Sequence, residues 1–214
     1  MEQELDDAAL MEFSRCFSQI IDFRSRFTAT HSRGVAAAAA ALAGLFDLPQ
    51  GMSERLVLAG NLHDLGKLAV PSEILEKPAA LDSGEFETMR RHAAVGAGVL
   101  GAVRGLDDVA RWVSRHHERL DGKGYHDGFG AEALSLPCRI LAVADVFTAV
   151  CEDRPYRPGM PEAEARALLS REAERGGLDP EVVGPLLSHF ADVTADRAGA
   201  QAEAAREFQA FHAG

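Results

Sequence analysis

The 214-residue sequence is poor in cysteine, in positive charge and in long apolar runs. Its three cysteines, Cys16, Cys138 and Cys151, are an odd number and widely spaced. They write neither a disulfide framework nor a CxxC pair, and they fit free thiols in a reducing compartment. Lys and Arg total 22 against 33 Asp and Glu, a net charge of −11. Duplex nucleic acid is thereby disfavoured as a partner, because phosphate binding needs a basic face. A small anion held by a few local cations or metals is not disfavoured. The longest apolar run, residues 35–46, stops at Asp47 and is too short to span a bilayer. The N-terminus, MEQELDDAAL, is acidic where a signal peptide would be basic and then apolar. These absences predict a cytoplasmic protein with no membrane segment. No stretch alternates at period two, so no strand is expected, and no repeat or low-complexity tract appears.

What the chain has is helical periodicity, with 47% hydrophobic and 26% charged residues, enough for a sizeable core. Thr28 or Thr30 is placed to cap a helix reaching about Phe46, which Pro49-Gln-Gly51 breaks. Ser53 and Glu54 open the next, carrying Leu56, Leu58, Leu62 and Leu65 up to the LGK turn. Ser83 starts a helix through Phe86, Met89 and His92, and AAVGAGVLGAV continues or restarts it. Asp107 or Asp108 opens a helix ending in Arg115-His116-His117. Residues 118–136, with four glycines, read as a loop. Ser135 and Pro137 then start a helix that is apolar on nearly every face and therefore buried. Pro161 and Pro180 mark two further helix starts, and an Ala/Glu-rich helix closes the chain from about Ala191. The fold class expected is all-α, a single helical bundle.

The placing of the eight histidines carries the chemistry. His63-Asp64 lie in an apolar helix, His116-His117 at the end of another, and Asp145 inside the most apolar helix of all. An unpaired carboxylate there would cost several kcal/mol to ionise. It must be protonated, salt-bridged or bound to a cation, and a metal with neutral imidazoles around it satisfies it most simply. Taken singly, a lone His31 or His92 reads as a hydrogen-bonded core residue, and Asp145 as an ion-pair partner. The ordered pattern H…HD…H…HH…D, at 31, 63/64, 92, 116/117 and 145, spreads candidate ligands over five helices.

The segments THSRGVA (30–36), HDLGKLAVPSEIL (63–75), RRHAAVGAGVL (90–100), HHERLDGKGYH (116–126), RILAVADVFTAV (139–150) and DRPYRP (153–158) resemble the HD-GYP subgroup of the HD-domain phosphohydrolases. The resemblance covers roughly residues 28–175 and implies a helical bundle with a central metal site, assigned here to 28–190, while the residue pattern places an N-terminal helix in 1–27 and a C-terminal helix in 191–214. It implies that His31, His63, Asp64 and Asp145 ligate one metal, and that Asp64, His92, His116 and His117 ligate a second, with Asp64 bridging. Iron or manganese is the metal implied. Some members hold a third metal through a Glu one turn before the first His; Phe27 stands there, so two ions are expected.

The activity implied is hydrolysis of cyclic di-GMP to pGpG and onward to GMP, with Asp64 and Lys67 in the catalytic set. Two cations a few Å apart would activate a shared water and offset phosphoryl charge. Lys67, four residues after His63, is expected on the same helical face, within reach of phosphate. Tyr125, Arg154 and Arg157 are the substrate-binding residues implied, guanidinium groups suiting both phosphate and guanine acceptors. The subgroup's Gly-Tyr-Pro is here Gly124-Tyr125-His126, which removes a stiffening proline and leaves loop conformation and substrate choice open. His126 reads as a solvent-exposed loop residue. Two alternatives stand beside this reading: the same chemistry on cyclic GMP-AMP, and a non-catalytic module that binds nucleotide or a partner such as a diguanylate cyclase domain. The N-terminal helix, with Leu10, Phe13, Phe17, Ile20 and Ile21, has three readings: packing on the core, joining a homodimer, or ending a longer protein.

Overall fold

The computed structural model describes residues 7–24, 30–153 and 158–213. Among these residues all regular structure is helical, as the missing period-two patterning predicts. In chain order the helices are α1 (Asp7–Arg24), α2 (His31–Leu45), α3 (Gln50–Leu62), α4 (Ser72–Leu75), α5 (Ser83–Arg90) and α6 (His92–Gly101). They continue with α7 (Asp107–Ser114), α8 (Leu136–Cys151), α9 (Glu162–Glu174), α10 (Pro180–Ser188) and α11 (Phe190–Ala213). A 3-10 turn, Leu65–Ala69, follows α3. No described helix is long and apolar enough to cross a membrane.

Helix α2 is the hub. It packs against α3, α8 and α11, and Val35, Leu42 and Ala43 are fully buried along it. Its alanine-rich sequence permits this, because small side chains let neighbouring backbones approach. Helix α8 buries Ile140, Leu141, Phe147 and Val143 completely, in keeping with its apolar circumference. Helix α1 packs on α3 and the 3-10 turn, with Ile21 in the common core. On the same side Asn61 donates to Ser14 Oγ at 3.0 Å, and Asp22 accepts from the Ser32 hydroxyl at 2.9 Å. Packing on the core is thus the reading of this helix that the contacts support. Phe13 and Ile20 remain half-exposed.

Several expected boundaries move, each for a local reason. Helix α3 starts at Gln50, ahead of Ser53, because the Pro49 carbonyl already accepts from the Met52 and Ser53 amides. Thr30 occupies the N-cap of α2 without a side-chain cap, and Thr28 lies outside the described residues. The cap of α5 is Asp82, which forms a capping box with Glu85. Helix α3 ends one residue before His63 and α7 two residues before His116, so His63-Asp64 and His116-His117 sit in turns just beyond the helices rather than within them. The chain restarts at α6 instead of running straight through His92. All three cysteines are free.

The 3-10 turn lies directly on the start of α6, and Gly66 is the point of contact. A Cβ there would collide with the His92 carbonyl oxygen and stand 2.7 Å from the Gly96 nitrogen, both backbone atoms that cannot swing aside. Gly98, on the same helix α6, faces open space. Gly66→Ala is therefore expected to destabilise the fold by about 3 kcal/mol, the upper end for overpacking. Gly98→Ala should stabilise it by about 0.5–1 kcal/mol by restoring helix propensity. Chemical denaturation of both variants checks this; equal and small shifts would contradict the close approach.

Candidate metal centre

A helix end leaves its last carbonyls without intrahelical partners. Three histidines use these groups in the same way. The Nδ1–H of His63 donates to the Gly60 carbonyl at 2.8 Å, that of His116 to Val113 at 2.6 Å, and that of His92 to Met89 at 2.7 Å. Each acceptor is three residues earlier, in the last turn of α3, α7 or α5. The bond commits the Nδ1 proton, so Nε2 is the nitrogen each ring turns to the interior; burial pulls the His63 ring downward, but the Asp64 carboxylate facing its Nε2 holds it above the usual histidine range.

His31, at the start of α2, is oriented differently. Its Nδ1 faces both carboxylate oxygens of Glu152, at 3.0 and 3.1 Å, and its Nε2 faces Asp145 Oδ1 at 3.1 Å. The remaining ring, His117, stacks beside His116 with centroids 3.9 Å apart, its Nδ1 3.8 Å from Asp145 Oδ2. Asp64 lies 3.2 Å from His63 Nε2 through Oδ2 and 3.4 Å from His92 Nε2 through Oδ1. All seven residues named as ligands by the resemblance therefore meet in one place. Three groups have donor atoms within 4.8 Å of one another: His92, His116 and His117; His31, His63 and Asp64; His63, His116 and Asp145.

The donor set fits divalent cations on direct grounds. His92 Nε2 and His116 Nε2 face each other at 3.4 Å, although both rings have committed their protons at Nδ1. Asp64 Oδ1 joins them as a buried oxygen with no hydrogen-bond donor. Acceptors converging on acceptors are repulsive until a cation stands among them, and mixed imidazole and carboxylate donors suit first-row metals.

The charge states agree. Burial, followed by the neighbouring imidazoles, pushes His116 well below the usual histidine range, and burial likewise lowers His92 and His117. Three rings are thereby held neutral, the form that ligates. Burial alone would raise Asp145, but the His31 hydrogen bond and the charge on His63 hold it well below the carboxylate range. Burial opposes Asp64 too, and His63 and Lys67 outweigh it. For His31, burial works downward, yet the hydrogen bonds and charges of Asp145 and Glu152 hold it up to about 10.

Lys67 departs from its expected helical face. In a 3-10 turn residues i and i+3 eclipse, so Lys67 lies over Asp64, with Nζ 2.6 Å from Oδ2. Beside His116 and His117 opens a cavity of about 570 Å³ lined by Tyr125, Phe86, Arg90, Arg119, Lys123 and Glu172 among others. That volume is ordinary for a small-molecule site. Tyr125 lies against His117, ring centroids 4.7 Å apart, and its phenol is pushed upward by burial, so it stays protonated. The loop carrying it is held by buried Glu118, which accepts from the Asp127 and Gly128 amides at 2.7 and 3.0 Å. His126 is exposed and faces Asp127. Arg154, Arg157 and Phe27 lie outside the described residues.

Three neighbours of the site escaped the sequence reading. Glu152 stands seven residues after Asp145, two turns along the same helical face, a spacing that could have flagged it. Phe86 and Arg90 share a face at i, i+4, and both meet Tyr125: Phe86 edge-on at 5.9 Å, Arg90 with its guanidinium 5.4 Å from the ring centroid.

A family model described as HD domain matches residues 15–182. The chain is 39% identical over 181 residues to 3′3′-cGAMP-specific phosphodiesterase 1 of Vibrio cholerae, covering 85% of this chain and 42% of that protein. It is 44% identical over 158 residues to a cyclic di-GMP phosphodiesterase of Pseudomonas aeruginosa, covering 73% and 37% respectively. The chain thus spans about two fifths of the length of these curated relatives. Among solved structures, an HDG"Y"P protein from Bdellovibrio bacteriovorus superposes with a TM-score of 0.63 at 15% identity, over 87% of this chain and 65% of that one. At that identity the likeness concerns the fold alone.

The protonation pattern gives a signed expectation. At pH 7 His31 carries a proton that a ligating imidazole must shed, so metal uptake should release protons. The apparent affinity should rise with pH from 7 towards 9, about tenfold per unit for each proton released. Calorimetric titration with Mn²⁺ in two buffers of different ionisation enthalpy reads the proton count directly. Heats that do not depend on the buffer would contradict it.

Proposed function

The chain belongs to the HD-domain family, in its HD-GYP subgroup, and from that membership we propose that it is a metal-dependent phosphodiesterase of cyclic dinucleotides, opening cyclic di-GMP to pGpG and onward to GMP. One observation carries the reading: bare nitrogen and oxygen acceptors from His92, His116 and Asp64 converge in a buried pocket that opens onto a nucleotide-sized cavity. His31, His63, Asp64 and Asp145 would hold one ion and Asp64, His92, His116 and His117 the other, with iron or manganese suited to this donor set. Bound ions of this kind supply an activated water as nucleophile and offset the charge growing on the phosphoryl oxygens.

The chain's own residues do the rest. Lys67 stays protonated, because the Asp64 carboxylate beside it outweighs the opposing effect of burial. Its ammonium orients Asp64 and presents positive charge to an incoming phosphate. Tyr125 and Phe86 wall the cavity with aromatic faces on which a nucleobase can stack, and the Arg90 guanidinium sits over the Tyr125 ring. The protonated phenol of Tyr125 offers a donor rather than a base. Arg154 and Arg157 belong to this proposal through the sequence resemblance. So do docking to diguanylate cyclase domains and homodimer formation.

A second substrate is favoured by a specific finding. A relative 39% identical over 85% of this chain is named for 3′3′-cGAMP, so cyclic GMP-AMP is the competing reading. The test is anaerobic purification, metal analysis, and chromatography of products from both cyclic dinucleotides. His63→Ala and Asp64→Ala should each lower turnover by on the order of 100-fold or more, since each removes a metal ligand worth several kcal/mol in the transition state. Chelation should abolish turnover, and Mn²⁺ or Fe²⁺ should restore it. Product from cyclic GMP-AMP alone would select the second reading. Bound metal with no product from either would point to a non-catalytic module.

A further inference from the structure

The metal-centre reading leaves a buried polar chain unused, and it leads out of the site. Glu152 is 5% exposed, at the end of α8, and spends both carboxylate oxygens on His31 Nδ1. Behind it stands Gln201 of α11, whose Nε2 donates to Glu152 Oε2 at 3.2 Å. The amide has only one consistent orientation, because Arg197 donates to its Oε1. A buried arginine, a glutamine, a glutamate and the ring of His31 thus form a single relay, ending at Asp145.

The packing around the relay is built to admit it. Gly34, in the middle of α2, costs that helix propensity. A Cβ there would stand 2.9 Å from Cδ and Nε2 of Gln201 and 2.9 Å from the Thr148 methyl. Its absence lets the Gln201 amide lie across α2 to reach Glu152. Ion pairs fix α11 in register with the helices it crosses. Arg33 of α2 reaches Glu203 and Glu207 at 3.4 Å, and Gln19 of α1 donates to Glu207 at 2.7 Å. Gln201 lies past residue 182, where the family match ends.

We propose that Glu152 and Gln201 are positioning residues for the metal held by His31, so that the C-terminal helix α11 sets how tightly that ion binds. A carboxylate on the outer nitrogen of a ligating imidazole fixes its tautomer and ring orientation and strengthens it as a donor. Glu152 does this for His31, whereas His63, His92 and His116 rely on backbone carbonyls. Gln201 holds the Glu152 carboxylate in the one rotamer that faces His31. Among the contacts described, Glu152 and Gln201 meet none of His92, His116 and His117, so their effect falls on the ion held by His31 and not on the other. The inference rests on the metal-centre reading of the preceding subsections.

Titration of the metal-free full chain with Mn²⁺, following free Mn²⁺ by electron paramagnetic resonance, resolves the affinity of each ion. Glu152→Gln, which keeps the shape and removes the charge, should weaken one ion by about 10–100-fold and leave the other unchanged. Gln201→Leu should weaken the same ion by about tenfold, with thermal unfolding of the metal-free protein unaltered. Unchanged isotherms in both variants would overturn the relay while leaving the metal centre intact. Equal weakening of both ions, together with a lower unfolding temperature of the metal-free protein, would also overturn it, since that marks a purely structural role. An unsubstituted chain that binds no Mn²⁺ would overturn the metal centre itself, and the relay with it.

Discussion

The site depends on one repeated hydrogen bond, from a histidine Nδ1–H to the carbonyl three residues earlier. It occurs at the ends of α3, α5 and α7, where helix geometry leaves carbonyls to be satisfied. In satisfying the backbone it also commits the ring, and Nε2 is the nitrogen left aimed inward. The bond that closes each helix thereby creates a ligand. The helix ends must therefore fall where they do, one residue before His63 and two before His116. A helix prolonged through either histidine would turn its ring away from its neighbours.

Such a cluster is expensive to bury without compensation. Asp64 and Asp145 are ionised in the interior, and the rings opposite them are mostly neutral. Charged Lys67 and protonated His31 offset part of the negative charge, and they do so on one side of the cluster. On the other side His92, His116 and Asp64 present lone pairs to one another. Divalent cations remove both difficulties together: they neutralise the carboxylates and give the facing acceptors a common partner. The surrounding helices act as a rigid frame for this arrangement, with α2 and α8 supplying His31 and Asp145 from the most deeply buried parts of the core.

Much of this was legible in the sequence, and the reasons are specific. The order of His31, His63-Asp64, His92, His116-His117 and Asp145 survives folding because the histidines and Asp64 stand at or beside helix ends, and Asp145 faces them from inside α8. Asp145 was readable because a carboxylate in so apolar a helix demands an explanation. Helix boundaries were less readable. Pro49 serves as the cap of α3 rather than only as a breaker, whereas α5 starts at Ser83 as its sequence predicts, with Asp82 supplying the cap. Lys67 was placed by α-helical spacing, whereas the chain tightens to a 3-10 turn under the close contact of Gly66 with α6. Gln201 had no legible signal at all, since its partner lies 49 residues away and only the crossing of α11 over α2 brings them together.

The central claim is that the converging histidines and aspartates form a metal centre. Crystals of the metal-loaded protein, measured on both sides of the manganese or iron absorption edge, test it most directly. A metal centre predicts two anomalous peaks inside the cluster, one among His31, His63, Asp64 and Asp145 and the other among Asp64, His92, His116 and His117. A map with no peak there, from protein shown to be folded and exposed to excess metal, would contradict it.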